Sequence, residues 1–508
     1  MTTTFRDSVL FLIFLCFFLV RSSKAQTAET NIPSDPVKIE SGLIVGKLLP
    51  NGVKAYLAIP YAAPPVGEFR WREPQPVKPW TGIRTTDTYC APCAQKGNNS
   101  SEDCLYLNVW ASANPASKKM PVVVYIHGGA FQGGWASPSG EVLARKGVVF
   151  VNFNYRLGLF GNLALPQLTA ESPHKASGNY AHLDQITALQ WVHKNIQKFG
   201  GDPNNVTLMG QSSGSIDVCY LQASPLARGL IHKVVGLSGA VFAGGPWKPR
   251  TQKEIEQAGI TFQEKLKCKS VAEMRALPIG NLLNAGNKEV GEPGAVDGYV
   301  WTISPLEIFA SKKQNRVPAL LCTCRDESGG GFRNIKTVDE FKAKIRNLDS
   351  EYADDIMKIL PVTNEEDVHK AITAIGYASG VVKQMITWAE TQSASKSPVY
   401  LSLFSHGERA GHGADIEYWI GNVTLSGKTA ADRELSNEMS DALVAFTKTG
   451  NPNTPVIKWP EYTSENPSRL VLDNNMTSVS IDKTAYQLLA HPEFILDNMW
   501  GNSRGAKK

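Results

Sequence analysis

Residues 205–215 read NVTLMGQSSGS, a β-branched and apolar run that ends in Gly210-Gln211-Ser212-Ser213-Gly214. A Gly-x-Ser-x-Gly spacing is what a strand-to-helix turn needs if a serine is to stand exposed at its apex. The glycines relieve crowding two residues to either side, the Oγ is pushed outward, and the Ser213 N–H is aimed at the same place. An alcohol is a weak nucleophile near neutral pH, so such a serine requires a base within hydrogen-bond reach. The base in turn requires a carboxylate to fix its tautomer and stabilise the imidazolium. Asp326 and Glu327 follow the run PALLCTCR, and His406 and His412 lie beyond YLSLF. His127-Gly128-Gly129-Ala130 follows VVVYI. Glycines there let backbone approach a ligand closely, and consecutive exposed N–H groups can hold a developing oxyanion. The same five letters around Ser212 also suit a helix-capping serine in a tight turn, so the surrounding elements must decide.

Those elements repeat one grammar: an apolar β-branched run, a Gly-rich turn, a helical pattern. It recurs in PVVVYIHGGAFQGG (Pro121–Gly134), GVVFVNFNYRLG (Gly147–Gly158), VTLMGQSSGS, HKVVGLSGA (His232–Ala240), VPALLCTCRDE (Val317–Glu327) and PVYLSLFSH (Pro398–His406). Near-continuous apolar strands separated by helices signal an α/β fold with a mostly parallel sheet covered on both faces. In such a sheet functional groups collect at the carboxyl ends of the strands, which is where every candidate above falls. The segment Ala188–Gly201 has helical periodicity closed by a glycine pair. Polar helical stretches at Pro246–Glu292 and Thr337–Ser395 read as excursions over the sheet. No low-complexity linker and no repeat of fixed period divides the chain, so one domain over residues 26–508 is expected.

Of 508 residues, 42% are apolar and 19% charged, enough for a sizeable core. The 52 basic and 47 acidic residues include Arg6, Arg21, Lys24 and Asp7 of the first 25, which leaves 49 against 46, or +3. So small a charge on so long a chain excludes a nucleic-acid surface. The N-terminus is laid out as a secretory signal: Arg6, the apolar run Val9–Val20, then small residues at Ser23 and Ala25. Twelve apolar residues are too few to span a bilayer, and no later stretch is long enough. A secreted or periplasmic protein without stable membrane insertion is expected, with removal of residues 1–25. Export makes disulfides possible. Cys90, Cys93 and Cys104 flank the polar segment AQKGNNSSED, where a short loop could be closed; seven cysteines remain after Cys16 is removed, so at least one has no intrachain partner. Cys322 and Cys324 lie two apart on an apparent strand and read as buried, inert thiols. A metal site would need further ligands at suitable spacing, and none is near.

The order of the candidates along the chain, serine then acid then histidine, is that of α/β-hydrolases. The chain resembles the type-B carboxylesterases, a family that also contains cholinesterases and some lipases. The matching stretches are YLAIPYAAPPVG, SEDCLYLNVW, YIHGGAFQGG, NYRLGLFG, GNYAHLDQITALQWVHKNIQKFGGDPNNVTLMGQSSGS, CRDESGG, HGADIEYWIG and TKTGNPN, spanning roughly Val37 to Lys483. The resemblance implies an α/β-hydrolase fold and ester hydrolysis through an acyl-enzyme, with no metal or organic cofactor. Position by position it implies Ser212 as nucleophile, Glu327 as acid rather than Asp326, and His412 as base rather than His406. The oxyanion donors would be the N–H groups of Gly128, Gly129 and Ser213, with His127 supporting their loop. It also implies a disulfide at Cys104, with Cys93 the best partner and Cys90 the alternative. A second disulfide of the family is expected to be lost, because Glu273 stands where the partner of Cys268 would be.

Two departures narrow the expectation. The family usually places a glutamate before the nucleophile, and here that residue is Gln211, which removes an anion beside the reacting centre. The loop between Cys93 and Cys104 is short and lacks the tryptophan that packs on choline in cholinesterases. Both features point to a small neutral carboxylic ester as substrate. The polar, short insert at Cys90–Ser101 makes a poor interfacial lid, which ranks a lipase second; aryl esters of the feruloyl type stay open. A catalytically silent adhesion or binding relative would lack part of the triad, and this chain has all of it.

Overall fold

The computed structural model describes residues 32–494, apart from 98, 115–118, 243–248, 287, 328–330, 333, 426–427 and 492. The segment expected to be a signal peptide lies outside the described residues.

Twelve strands form the main sheet. In chain order they are β1 (Ile32–Pro33), β2 (Lys47–Leu48), β3 (Val53–Pro60), β4 (Tyr106–Ser112), β5 (Met120–Ile126) and β6 (Val149–Phe153), then β7 (Gly201–Gln211), β8 (Lys233–Leu237), β9 (Ala319–Cys324), β10 (Val399–Phe404), β11 (Ser468–Leu472) and β12 (Ser478–Ser480). Their order across the sheet is β1-β2-β3-β4-β6-β5-β7-β8-β9-β10-β11-β12. Neighbours from β6 to β11 run parallel, and both margins are antiparallel. The α/β architecture read from the apolar runs is therefore present, with a mixed sheet whose centre is parallel.

Every residue of β5, β6, β8, β9 and β10 is buried. Burial on both faces is why these runs show no polar alternation. Val122, Val124 and Ile126 of β5 pack on one side with α1 (Tyr180–Asn195) and α2 (Ser213–Ala223), while Val123 and Tyr125 pack on the other. The excursion after residue 337 contributes α3 (Val338–Leu348) and α4 (Glu365–Ala378), which share a separate apolar cluster, and α5 (Gly380–Ala394), which lies on the first face of the sheet. The second face is covered by α6 (Ala430–Thr449).

The helix expected over 188–201 begins at Tyr180 and ends at Asn195, followed by a 3₁₀ turn; Gly200 takes φ +82°, and Gly201 already belongs to β7. Its first half escapes a periodicity reading because polar His182, Asp184 and Gln185 are buried there beside Tyr180 and Ala181. Cys93 and Cys104 are joined by a disulfide. Cys90 stays a thiol, contacted by Asn154 Nδ2 at 3.2 Å and pushed up to about 12 by burial. Cys268 is also free, and Glu273 Oε2 instead accepts the Lys269 N–H at 2.7 Å.

The chain runs from β5 to β6 on one side, whereas β7 lies on the other side of β5. Connections diverge from the β5–β7 gap, and an open α/β sheet forms its crevice at such a switch point, beyond the carboxyl ends of the strands. His127 follows β5 there, and Ser212 follows β7.

Candidate active site

Ser212 occupies φ +56°, ψ −125°, a conformation that costs a non-glycine residue about 1–3 kcal/mol. Its N–H donates to the Leu237 carbonyl at 2.8 Å, which pins the turn to the end of β8. Two close approaches explain the glycines around it. A Cβ at Gly214 would stand 2.3 Å from the Ile126 carbonyl oxygen, and one at Gly128 would stand 2.7 Å from the Gln211 carbonyl oxygen and 2.9 Å from Ser212 Cβ. The His127-Gly128-Gly129 loop thus lies backbone against backbone on the serine turn. No backbone acceptor among the described residues takes the N–H of Gly128, Gly129 or Ser213. The loop is fixed from behind: the Tyr155 hydroxyl donates to the His127 carbonyl at 3.0 Å, and the two rings stack 4.6 Å apart. Burial pushes His127 down to about 4, against a small opposing effect of its hydrogen bond to the Gly128 carbonyl. His127 is therefore a neutral prop at pH 7.

His412 Nε2 lies 2.7 Å from Ser212 Oγ, and His412 Nδ1 contacts Glu327 Oε1. The second oxygen of Glu327 accepts from Ser238 Oγ at 2.8 Å and from the Cys324 N–H at 2.7 Å. Glu327 is buried, whereas the His412 side chain is 40% exposed toward the crevice. Burial alone would lower the His412 pKa; the hydrogen bond and charge of Glu327 outweigh it and hold the imidazole above its ordinary value. The competing residues go elsewhere. Asp326 Oδ2 accepts the Ala410 N–H at 2.9 Å, and His406 pairs with Asp432 at 2.8 Å. Adjacent in sequence, Asp326 and Glu327 diverge because they sit on a 3₁₀ turn, Arg325–Glu327.

Sequence reasoning did not find three neighbours of this chain of contacts. Ser238, itself at φ +55°, is an ordinary serine in an apolar run. Asp415 is fully buried; Cys324 Sγ donates to its Oδ1 at 3.5 Å and Trp419 Nε1 to its Oδ2 at 3.2 Å. Burial, then the charge of Glu327, raises its pKa to about 6. Both thiols of Cys322 and Cys324 are buried and raised far above the ordinary range by that burial, as inert thiols should be. The third neighbour is Gln384 on α5, which helps line a small cavity together with Ser212, Ser213, Ala130, Ile216, Ser238 and Val381. A larger cleft beside Trp71, Arg72, Glu171 and Tyr180 contains none of Ser212, His412 and Glu327. Gln211 was singled out from the sequence, and its Nε2 lies 3.3 Å from His412 Nε2.

Known proteins share this architecture. Residues 33–489 match the carboxylesterase family. The chain is 31% identical over 487 residues to the fumonisin B1 esterase of Sphingopyxis macrogoltabida, covering 88% of each chain. It is 31% identical over 471 residues to the para-nitrobenzyl esterase of Bacillus subtilis (strain 168), covering 84% of this chain and 92% of that one. A solved PNB esterase superposes with a TM-score of 0.74 at 30% identity, over 89% of this chain and 99% of the other. Likeness over most of the chain places it in the carboxylesterase family as a carboxylic ester hydrolase with the α/β-hydrolase fold.

Proposed function

We propose that the protein hydrolyses neutral carboxylic esters through an acyl-enzyme formed on Ser212. The observation that carries this reading is the unbroken run of contacts from Ser212 Oγ through both nitrogens of His412 to Glu327. Glu327 holds the proton of His412 on Nδ1, which leaves the Nε2 lone pair facing the serine hydroxyl. When Ser212 Oγ attacks the ester carbonyl, Nε2 takes its proton, and the carbonyl oxygen becomes an anion. The N–H groups of Gly128, Gly129 and Ser213 stabilise that oxygen; each such donor is worth about 3 kcal/mol in a transition state. The imidazolium then gives its proton to the alkoxide as the C–O bond breaks, and alcohol leaves. Water repeats the sequence on the acyl-serine, releasing the carboxylic acid and restoring Ser212.

Gln211 brings no charge to this centre, and that supports neutral rather than cationic esters. The disulfide between Cys93 and Cys104 supports an exported protein, as does the signal-like N-terminus. Among the described residues no helix is long and apolar enough to cross a membrane. We read residues 26–508 as one catalytic unit.

Ser212→Ala should lower kcat for a short-chain p-nitrophenyl ester by about 10⁶-fold while circular dichroism stays native. An organophosphate should add one adduct per chain at Ser212, read by peptide mass spectrometry. Retained turnover in the variant, or labelling at another residue, would show that the nucleophile lies elsewhere.

A further inference from the structure

The cavity beside Ser212 receives one particular part of the ester. The leaving alkoxide must take its proton from His412 Nε2, so the alcohol side of the substrate points toward His412. The carbonyl oxygen belongs to the N–H groups around Gly129 and Ser213. The remaining substituent on the carbonyl carbon is the acyl chain. The cavity is lined by Ser212, Ser213 and Ser238 but by neither His412 nor Glu327, so it lies away from the leaving group and extends beyond the oxyanion donors on the acyl side. Ala130, Ile216 and Val381 give it apolar walls.

Ser213, Ser238 and Gln384 put polar groups on that wall, and of these side chains only the Gln384 amide carries two N–H donors. Gln384 is 3% exposed, and a buried amide needs partners. Its Oε1 accepts the Ala240 N–H at 3.1 Å. That bond settles which end of the amide is oxygen, because of its two ends only the oxygen can accept from a backbone N–H. The neighbouring Met385 Sδ contacts the Gly239 N–H at 3.3 Å. Two successive residues of α5 are thus anchored to the turn after β8, and this holds the Gln384 side chain in one place. Its Nε2 has two N–H donors and no acceptor among the described residues, in a residue that borders the acyl cavity.

We propose that Gln384 is a specificity-determining residue: its side-chain NH₂ donates to a hydrogen-bond acceptor in the acyl chain. The enzyme therefore prefers esters whose acid part carries a keto or ether oxygen over alkyl esters of equal size. The proposal rests on the Ser212 acyl-enzyme reading. Its physical basis is asymmetric. An alkyl chain leaves a buried donor without a partner, whereas an acceptor-bearing chain satisfies it. A site built around a hydrogen bond discriminates more sharply than an apolar pocket judging one methylene.

Two pairs of p-nitrophenyl esters test this: 4-oxopentanoate against 4-methylpentanoate, in which an oxygen replaces a methyl group, and methoxyacetate against butanoate. For each ester kcat/KM, which reports acylation, is divided by its rate constant for hydrolysis by hydroxide, which removes intrinsic reactivity. The wild type should favour the oxygen-bearing member of at least one pair by about tenfold. Gln384→Met, which keeps the length but loses the donor, should bring that ratio to about one. Gln384→Glu, assayed at pH 8, keeps an acceptor for the Ala240 N–H and replaces the donor by a second acceptor. It should bring the ratio to one or below, and it decides the matter if the methionine variant does not fold. Ratios unchanged in the folded variants, with turnover still lost in Ser212→Ala, overturn the role of Gln384 alone. Turnover that survives Ser212→Ala overturns the acyl-enzyme reading with it.

Discussion

Gln211→Glu restores the anion that the family usually carries beside the nucleophile, and the structure sets its size. Gln211 Nε2 lies 3.3 Å from His412 Nε2, so a carboxylate there faces the imidazolium at about that distance. Coulomb's law gives about 1.3 kcal/mol of attraction at the permittivity of water and about 5 kcal/mol at an effective value of 20. The His412 side chain is 40% exposed, so the screened end of that range applies. About 1.4 kcal/mol is one pKa unit. The substitution also removes a donor: the Gln211 N–H and the Ser212 O–H both point at the one lone pair of Nε2. Protonated His412 is inactive as a base, so raising its pKa moves the acid limb of kcat/KM upward. The measurement is kcat/KM for p-nitrophenyl acetate from pH 5 to 9. The midpoint of the acid limb should rise by about one pH unit in Gln211→Glu. The variant should also gain up to about tenfold for a cationic ester relative to a neutral one of the same shape. An acid limb that stays in place or moves down would refute the argument that Gln211 governs charge at this centre.

Two other substitutions follow from the same geometry. Glu327→Gln removes the charge that holds His412 above its ordinary value; kcat should fall by about 10⁴-fold, and the residual activity should show its acid limb at lower pH, not higher. Asp415→Asn tests a buried acid whose pKa rises from 3.8 to about 6 on folding. The unfolded chain ionises first as pH rises, so the wild type loses stability between about pH 4 and 6, by about 3 kcal/mol at most. The difference in Tm, variant minus wild type, should therefore grow from pH 4 to 7, and a difference independent of pH would show that Asp415 ionises as readily folded as unfolded.

What could be read from the letters depended on whether a constraint acts along the chain or across it. Gly210 to Gly214 and His127 to Gly129 were legible because close backbone approach, within each turn at Gly210 and Gly129 and between the two at Gly128 and Gly214, requires glycine at fixed offsets. The strands were legible because burial on both faces leaves them mostly apolar, without a polar alternation. The acid and base were not decided by residue types alone. Asp326 and Glu327 are equivalent as letters, and only the 3₁₀ turn sends Glu327 inward to His412 and Asp326 to the backbone of Ala410. His406 stands nearer the strand end than His412, yet its partner is Asp432. The resemblance to a family separated these pairs where chemistry could not. Gln384 had no signal of either kind. It lies on a helix buried around most of its circumference, and its role depends on the turn after β8, which is remote in sequence.

That turn also explains why the site needs no loop of its own to hold it together. Leu237 accepts the N–H of Ser212, Ser238 donates to Glu327, the Gly239 carbonyl accepts from Ser215, and Ala240 donates to Gln384. Four consecutive residues thus touch the nucleophile, its helix, the acid and the cavity wall. The turn is in turn positioned by β8, whose register pairs Val234 with Ala319 and Leu237 with Cys322 on one side, and with Thr207 to Gln211 on the other. A slip of one residue along β8 would break all four contacts together, and it would also rotate the strand's side chains to opposite faces. Ser212 and Ser238 both sit near φ +55° at the ends of adjacent parallel strands, each at a cost of about 1–3 kcal/mol. Strain of that kind persists only where the surroundings over-determine it. Here the surroundings are the sheet itself, so the placing of Ser212 against Ser238, and through Ser238 against Glu327, follows from strand register, and Glu327 in turn holds His412.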